Sequence, residues 1–236
     1  MKQIEIKEKK KYVRSMFNNI AETYDFLNHF LSFGIDYYWR WKAIKKLKPF
    51  QPKLILDMAT GTTDFALSAQ KNLNAKVIGI DLAESMLHVG MKKLRSKEKT
   101  EEIQLVCGDA ENIPVSSNMF DAATVAFGVR NFENLTKGLS EICRTLKPEG
   151  NLIILEFSKP SKFPFKQIYF FYFKYILPVM GRMVSKSSEA YDYLPDSVTK
   201  FPAPETLNTI ILNAGYSKVS YQQLTFGIVT IHHAIK

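Results

Sequence analysis

From Leu54 onward the chain alternates short apolar runs with longer amphipathic ones, and this rhythm limits the fold more than any other feature. LILDM (54–58), KVIGI (76–80), IQLVC (103–107), DAATVAF (121–127) and NLIILEF (151–157) read as strands, while 63–72, 83–97 and 134–147 read as helices. Apolar strands separated by helices specify a mostly parallel sheet covered on both faces. Pro148-Glu149-Gly150 is a turn ahead of the fifth strand. A helix at 203–214, stopped by Gly215, and two strands at 216–224 and 228–235 complete the pattern. Upstream, 9–33 and 37–48 read as helices, the second with Tyr37, Trp41, Ile44 and Leu47 on one apolar face, and Pro49 and Pro52 set this lobe apart. Residues 163–200 are helical, irregular and aromatic, and interrupt the rhythm. The expectation is an α/β fold in one domain: an N-terminal helical lobe (1–53), a ligand-binding core (54–157), a helical insertion (158–202), and a final helix with C-terminal strands (203–236).

Charge is unevenly spread. The 236 residues carry a formal +9, but residues 1–53 hold +7, 54–157 hold −3, 158–200 hold +4 and the remainder +1. An acidic centre argues against a nucleic-acid enzyme, which concentrates positive charge around its reading surface. The basic flanks are also aromatic: Tyr37, Tyr38, Trp39 and Trp41 stand among Arg40, Lys42, Lys45 and Lys46, and Tyr169 to Phe173 among Lys166 and Lys174. That mixture suits an anionic membrane surface. A solvated basic face over a packed helix is the plainer alternative. Two cysteines, Cys107 and Cys143, read as reduced core thiols in a cytoplasmic protein. The polar, basic first eleven residues do not resemble a signal peptide. The most apolar stretch, Ile168 to Met180, is broken by Lys174 and Pro178 and falls short of the roughly 20 residues that span a bilayer. The four histidines show no metal spacing, and no metal is expected.

In an open parallel sheet, ligands bind at the carboxyl ends of the strands. Those ends read Asp57-Met58-Ala59-Thr60-Gly61-Thr62-Thr63-Asp64, Gly79-Ile80-Asp81, Cys107-Gly108-Asp109-Ala110 and Ala126-Phe127-Gly128-Val129-Arg130-Asn131. Each carboxylate has a local alternative. Asp64 complements a helix dipole, Asp81 caps a helix and Asp109 makes a turn. Together they place negative charge along one sheet edge. Asp81 follows Asp57 at close to the interval of about 20 at which an acidic side chain receives ribose hydroxyls. Yet the first turn has one glycine, Gly61, and Asp64 spoils a phosphate site at the helix start. A ligand with a ribose, positive charge and no phosphate fits better, and S-adenosylmethionine has those features.

The sequence resembles the menaquinone/ubiquinone biosynthesis C-methyltransferases over nearly its whole length. The resemblance is carried by Phe17-Asn18-Asn19-Ile20-Ala21 with Tyr24-Asp25, Ser32-Phe33-Gly34-Ile35 with Trp39, the turn Asp57 to Asp64, Phe127-Gly128-Val129-Arg130-Asn131, Leu155-Glu156-Phe157-Ser158-Lys159-Pro160, and Ala190-Tyr191 with Tyr193-Leu194-Pro195. It implies a class I methyltransferase fold (Rossmann-like) and methyl transfer from S-adenosylmethionine to a ring carbon of a polyprenylated quinol. On overall similarity the quinol is demethylmenaquinol. A ubiquinone-pathway benzoquinol, a nucleic-acid methyltransferase and a non-catalytic nucleotide-binding protein are the alternatives. The cofactor contacts it implies are Thr62, Asp81 on the ribose, and Asp109 with Ala110 near the adenine, in a site that also holds Asp57 and Gly61. Thr63 replaces a usual glycine, which predicts a tighter or shifted turn. Asp36 stands where histidine is frequent.

Carbon methylation needs the quinol in a phenolate-like form, aligned with the methyl group. Arg130, a cation at a strand end, is the candidate stabiliser of the oxyanion or organiser of a water that takes the proton; a structural ion pair is its other reading. Tyr24, Asp25 and Tyr191 are candidates for closing over the quinol, and packing or capping is theirs. The aromatic run 168–175 and the basic helix 37–48 are expected to line an apolar mouth for the isoprenoid tail, with the protein bound peripherally to the inner face of the membrane. A homodimer is left open.

Overall fold

The computed structural model describes residues 6–160, 162–172, 175 and 189–236. Two helices, α1 (Ile6–Leu31) and α2 (Ile35–Lys45), precede β1 (Leu54–Met58), α3 (Asp64–Leu73), β2 (Lys76–Asp81), α4 (Glu84–Ser96), β3 (Ile103–Cys107), β4 (Phe120–Ala126), α5 (Leu135–Thr145) and β5 (Leu146–Phe157). Then come α6 (Phe165–Phe171), α7 (Glu189–Lys200), α8 (Pro204–Asn213), β6 (Lys218–Leu224) and β7 (Val229–Ile235). The seven strands lie in the order β3-β2-β1-β4-β5-β7-β6, with β7 antiparallel to both its neighbours and the other pairs parallel.

The apolar strands are buried from both sides. Leu56, Val125, Leu152 and Ile154 pack with Leu139 and Ile142 of α5 and Leu207 and Ile211 of α8. Ile55, Val77, Ile153 and Leu155 pack with Trp39 and Ile44 of α2 and Phe65 and Ala69 of α3 on the other face. The parallel register pairs Asp57 with Gly79 and with Thr124, and Asp81 with Cys107, so the carboxyl ends of four strands open along one edge. There the order turns from β1 outward in both directions, which opens the crevice where such sheets take ligands.

Three local expectations change. The Pro148-Glu149-Gly150 turn lies inside β5 as an irregularity: the register shifts between Phe120 and Ala122, and Glu149 takes φ 61°. The face of α2 differs as well. Tyr37 and Trp41 are exposed, whereas Asp36, Trp39, Arg40, Ala43, Ile44 and Leu47 are buried. With aromatics all round this helix, hydrophobicity alone did not orient it. Cys107 is exposed at the end of β3, an edge strand, and only Cys143 is a core thiol. No helix among the described residues is long and apolar enough to cross a membrane.

Candidate active site

After β1 the chain curls through three left-handed residues, Ala59 (φ 55°), Gly61 (φ 56°) and Thr63 (φ 74°). The curl sends the Thr60 amide to the Ile80 carbonyl (3.1 Å) and the Gly61 amide to Asp81 Oδ2 (2.8 Å). The Ala83 amide donates to Asp81 Oδ1 (2.8 Å), so this carboxylate holds both the turn and the lead-in to α4; the N-cap residue of that helix is Ala83, so the sequence reading of Asp81 as a cap does not hold. Burial raises the pKa of Asp81 against the pull of those amides. Asp57 lies beneath, fully enclosed, accepting from Thr60 Oγ1 (2.6 Å) and Thr124 Oγ1 (2.7 Å); burial lifts its carboxyl to about 6. Thr63 is accommodated by α4: a Cβ on Gly90 would sit 2.7 Å from Thr63 Cγ2. The Thr63 hydroxyl is buried with no hydrogen-bond partner among the described residues.

Two cavities open at this edge. The first is lined by Gly61, Asp81, Asp109, Ala110, Glu111, Glu133 and Met86, among others. Lys10 of α1 reaches across it, with Nζ 2.7 Å from Asp109, 3.5 Å from Glu133 and 3.7 Å from Glu111. Lys9 donates to the carbonyls of Arg130 (3.1 Å) and Phe132 (2.7 Å). An ammonium drawn to three carboxylates shows what this cavity favours: positive charge. S-adenosylmethionine fits that donor set. Asp81 and Asp109 are the side chains that would hold its sugar and base.

The second cavity, about 520 Å³, is walled mainly by apolar and aromatic side chains, including Met16, Leu27, Leu31, Trp39, Ile168 and Tyr169. Its polar lining includes Arg130, Arg40, Asp36, Asn28 and several tyrosines. Phe17, Tyr24 and Phe127 belong to both cavities and form the wall between them. Arg130 NH1 donates to Glu156 Oε1 (2.7 Å) and to the Phe127 carbonyl. Glu156 is 1% exposed and also accepts the amides of Phe157 (2.9 Å) and Arg130 (3.4 Å). The structural ion pair therefore exists, and Arg130 faces the cavity as well; its buried Nε has no partner among the described residues. Burial raises the Tyr24 hydroxyl and pushes Tyr193 up to about 12.

The predicted residues divide accordingly. Asp81, Asp109, Ala110 and Gly61 line the first cavity, Asp57 supports it from below, Tyr24 stands at the junction and Arg130 in the second. Thr62 and Asp25 line neither cavity. The left-handed residues flanking Thr62 turn its hydroxyl outward, where it donates to Asp25 Oδ1. Asp25 also pairs with Lys93 (2.5 Å), which pairs in turn with Asp64 (2.6 Å), a clasp that ties α1 to the turn and to α4. The Tyr191 side chain lies outside the described residues. On the second cavity, Ile168, Tyr169 and Tyr172 of the aromatic run are lining residues, while Tyr37 and Trp41 of the basic helix line a groove on the other side of α2. Lys10 and Glu133 did not stand out in the sequence; Phe17 and Phe127 stood in the motifs that carry the resemblance, with no role assigned to them. Glu156 had a readable signal, a lone carboxylate at the tip of a buried strand.

Comparison with known proteins adds identity of sequence to likeness of form. The ubiE/COQ5 methyltransferase family matches residues 3–236. A demethylmenaquinone methyltransferase of Bacteroides fragilis is 46% identical over 230 residues, covering 97% of this chain and 94% of that protein. A ubiquinone/menaquinone biosynthesis C-methyltransferase UbiE of Geotalea daltonii is 42% identical over 227 residues, covering 95% and 96%. Among solved structures, a SAM-dependent methyltransferase, possible histamine N-methyltransferase, of Thermotoga maritima superimposes with a TM-score of 0.66 at 19% identity, over 94% of this chain and 99% of that one, a likeness of fold.

Proposed function

The chain belongs to the ubiE/COQ5 methyltransferase family, and on that premise we propose that it transfers the methyl group of S-adenosylmethionine to a ring carbon of a polyprenylated quinol, demethylmenaquinol. The observation that carries the reading is the pair of cavities meeting at Phe17, Tyr24 and Phe127, one acidic and one apolar. A cation and a prenylated aromatic ring, each in the chamber that suits it, meet across that wall. When bound, S-adenosylmethionine supplies an electrophilic methyl on sulfur.

The chain's own residues do the rest. Asp81 and Asp109 favour the positive charge of the cofactor and orient its adenosine. The aromatic walls exclude water from the quinol, which strengthens every charge effect within. Arg130, held by Glu156, stabilises negative charge on the quinol oxygen. Tyr24 sets the contact between the two ligands.

The same reading extends to the membrane. Phe33 and Phe163 are each 80% exposed, Ile168 60% and Phe171 58%; Phe33 and Ile168 also line the second cavity. Lys42 and Lys45 lie over the Trp41 ring, at 5.5 and 5.0 Å. Exposed aromatics with cations nearby suit docking on the inner, anionic face of a membrane, where the isoprenoid tail resides. A flotation assay with anionic vesicles at low salt tests docking, and absence of binding refutes it. A methyl-transfer assay with naphthoquinol and benzoquinol substrates side by side tests the reaction. Turnover of demethylmenaquinol is expected; turnover of the benzoquinol alone reassigns the ring, and of neither refutes the proposal.

A further inference from the structure

The cavity whose charge suits the cofactor is too narrow to contain it. Its volume is about 90 Å³, whereas cavities for drug-sized ligands begin at roughly 300 Å³. One wall is α1: Lys10, Val13, Phe17 and Tyr24 line the cavity and recur at helical spacing. Lys10 brings a charge into it. Asp109 Oδ1 is taken up by the Glu111 amide (3.0 Å), and the other oxygen, Oδ2, accepts from Lys10 Nζ (2.7 Å). Glu111 is buried and accepts the Asn134 amide (2.9 Å). Glu133 keeps a buried oxygen, Oε1, with no hydrogen-bond partner among the described residues. The cluster thus offers more acceptors than one ammonium fills, and the Asp109 oxygen left for a ligand is the one Lys10 holds. Burial works against the ammonium, but the hydrogen bond and charge of Asp109, with Glu111 and Glu133, outweigh it and raise the Lys10 pKa. Lys9, one residue before, grips the loop after β4 through the carbonyls of Arg130 and Phe132.

We infer that Lys10 is an internal competitor of the cofactor: its ammonium straps α1 across the cavity by holding Asp109, and cofactor binding must lift it away. The assignment rests on the reading of this cavity as the cofactor's. Two demands meet at one place. The base of the cofactor needs the Asp109 oxygen that Lys10 takes, and the adenosine needs volume that the α1 wall takes. The strap is built to yield. Lys10 has a flexible four-carbon stem, its side chain is 30% exposed, and it lies about two turns of helix before the point where Asn18 accepts the Ser85 amide (2.9 Å). An ion pair so placed is weak enough for a ligand to displace. The protein then binds the cofactor less tightly than its cavity would allow, by the factor that the strapped form outweighs the open one.

Calorimetry on the full chain with S-adenosylhomocysteine tests this, because a ligand without net charge gains little from bare carboxylates. Lys10→Met keeps the stem and removes the ammonium; it is expected to bind about fivefold more tightly than the wild type. Lys10→Arg keeps the charge and is expected to stay within about twofold. Raising sodium chloride from about 0.05 to about 0.5 M screens the strap, so wild-type affinity is expected to rise about twofold while that of Lys10→Met stays level. A Lys10→Met protein that binds no more tightly, or more weakly, makes Lys10 a support of the cofactor and overturns the inference. A Lys10→Arg protein that tightens as much as Lys10→Met overturns it too, since charge is then not what competes. If Lys10→Met fails to fold, the wild-type salt series decides, and an affinity that does not rise refutes the strap. Wild-type affinity unmoved by Asp81→Asn instead places the cofactor outside this cavity, and the inference falls with that reading.

Discussion

Replacing Glu156 by glutamine changes one oxygen to an amide nitrogen and leaves the volume of the side chain alone. The consequence is large because of what surrounds it. Glu156 is 1% exposed, and its carboxylate neutralises an Arg130 side chain that is 7% exposed. It also accepts two backbone amides, from Arg130 and Phe157. A glutamine presents donors where three donors already converge, and leaves a guanidinium buried without a counter-charge. Removing one member of such a pair costs about 3–5 kcal/mol. For a chain of this length each kcal/mol lowers the melting temperature by roughly 2–4 °C, so Glu156→Gln is expected to melt roughly 6–20 °C below the wild type. Thermal unfolding by circular dichroism measures it, with urea titration to verify that the slope is unchanged and the midpoint alone has moved. The companion Arg130→Met/Glu156→Gln removes both charges; it is expected to recover at least half of the lost stability while remaining inactive. A single variant that melts within 2 °C of the wild type at the same slope would refute the claim that Glu156 compensates a buried cation.

Arg130→Lys is expected to leave cofactor affinity within a few-fold, by calorimetry, and to slow methyl transfer strongly, because a point charge lacks the planar fork that serves Glu156 and the cavity together; unchanged turnover removes Arg130 from the chemistry. Gly90→Ala drives a methyl into Thr63 Cγ2 and is expected to cost about 1–3 kcal/mol despite a helix-propensity gain of about 1 kcal/mol. Thr63→Gly in the same chain should cancel that loss, and additive effects in urea titrations would disprove the contact. His232, buried against Asn208, has its pKa lowered by burial to about 4. The unfolded chain therefore binds the extra proton between pH 6.5 and 4, and stability falls as pH drops through that window. The contribution is roughly 3 kcal/mol. A His232→Gln variant should show a flatter stability profile there, and an unchanged slope refutes the assignment. Asp57, raised to about 6, acts in the opposite sense between pH 3.8 and 6, so the comparison must be variant against wild type.

The strands were legible because a strand buried on both faces needs an unbroken apolar run, and β1, β2 and β3 begin and end within a residue of their runs. Asp81 and Asp109 were legible for a related reason: a carboxylate ending an apolar run marks where a strand meets solvent. The direction of a side chain in a turn was not. Thr62 points to Asp25 and away from the cofactor cavity because its neighbours take left-handed angles, which Gly61 announces and Thr63 does not. The face of α2 was hidden for another reason. Trp39 and Trp41 are equally apolar, and only the burial of Asp36 and Arg40 between helices decides which tryptophan goes in. Contacts such as Lys10 with Asp109, 99 residues apart, have no local signature at all.

The clasp at Asp25 gives α1 the mechanics of a beam on a fulcrum. The helix is pinned near its middle: Asn18 accepts the Ser85 amide (2.9 Å), Glu22 meets Lys92 (3.0 Å), and Asp25 holds Thr62 and Lys93. One arm, with Lys10, hangs over the acidic chamber; the other, from Leu27 to Leu31, roofs the apolar one. Twenty-six residues of helix span roughly 39 Å, long enough to reach both chambers. A shift of this one helix on filling one chamber would reshape the other, and by thermodynamic reciprocity such a coupling would be equal in both directions.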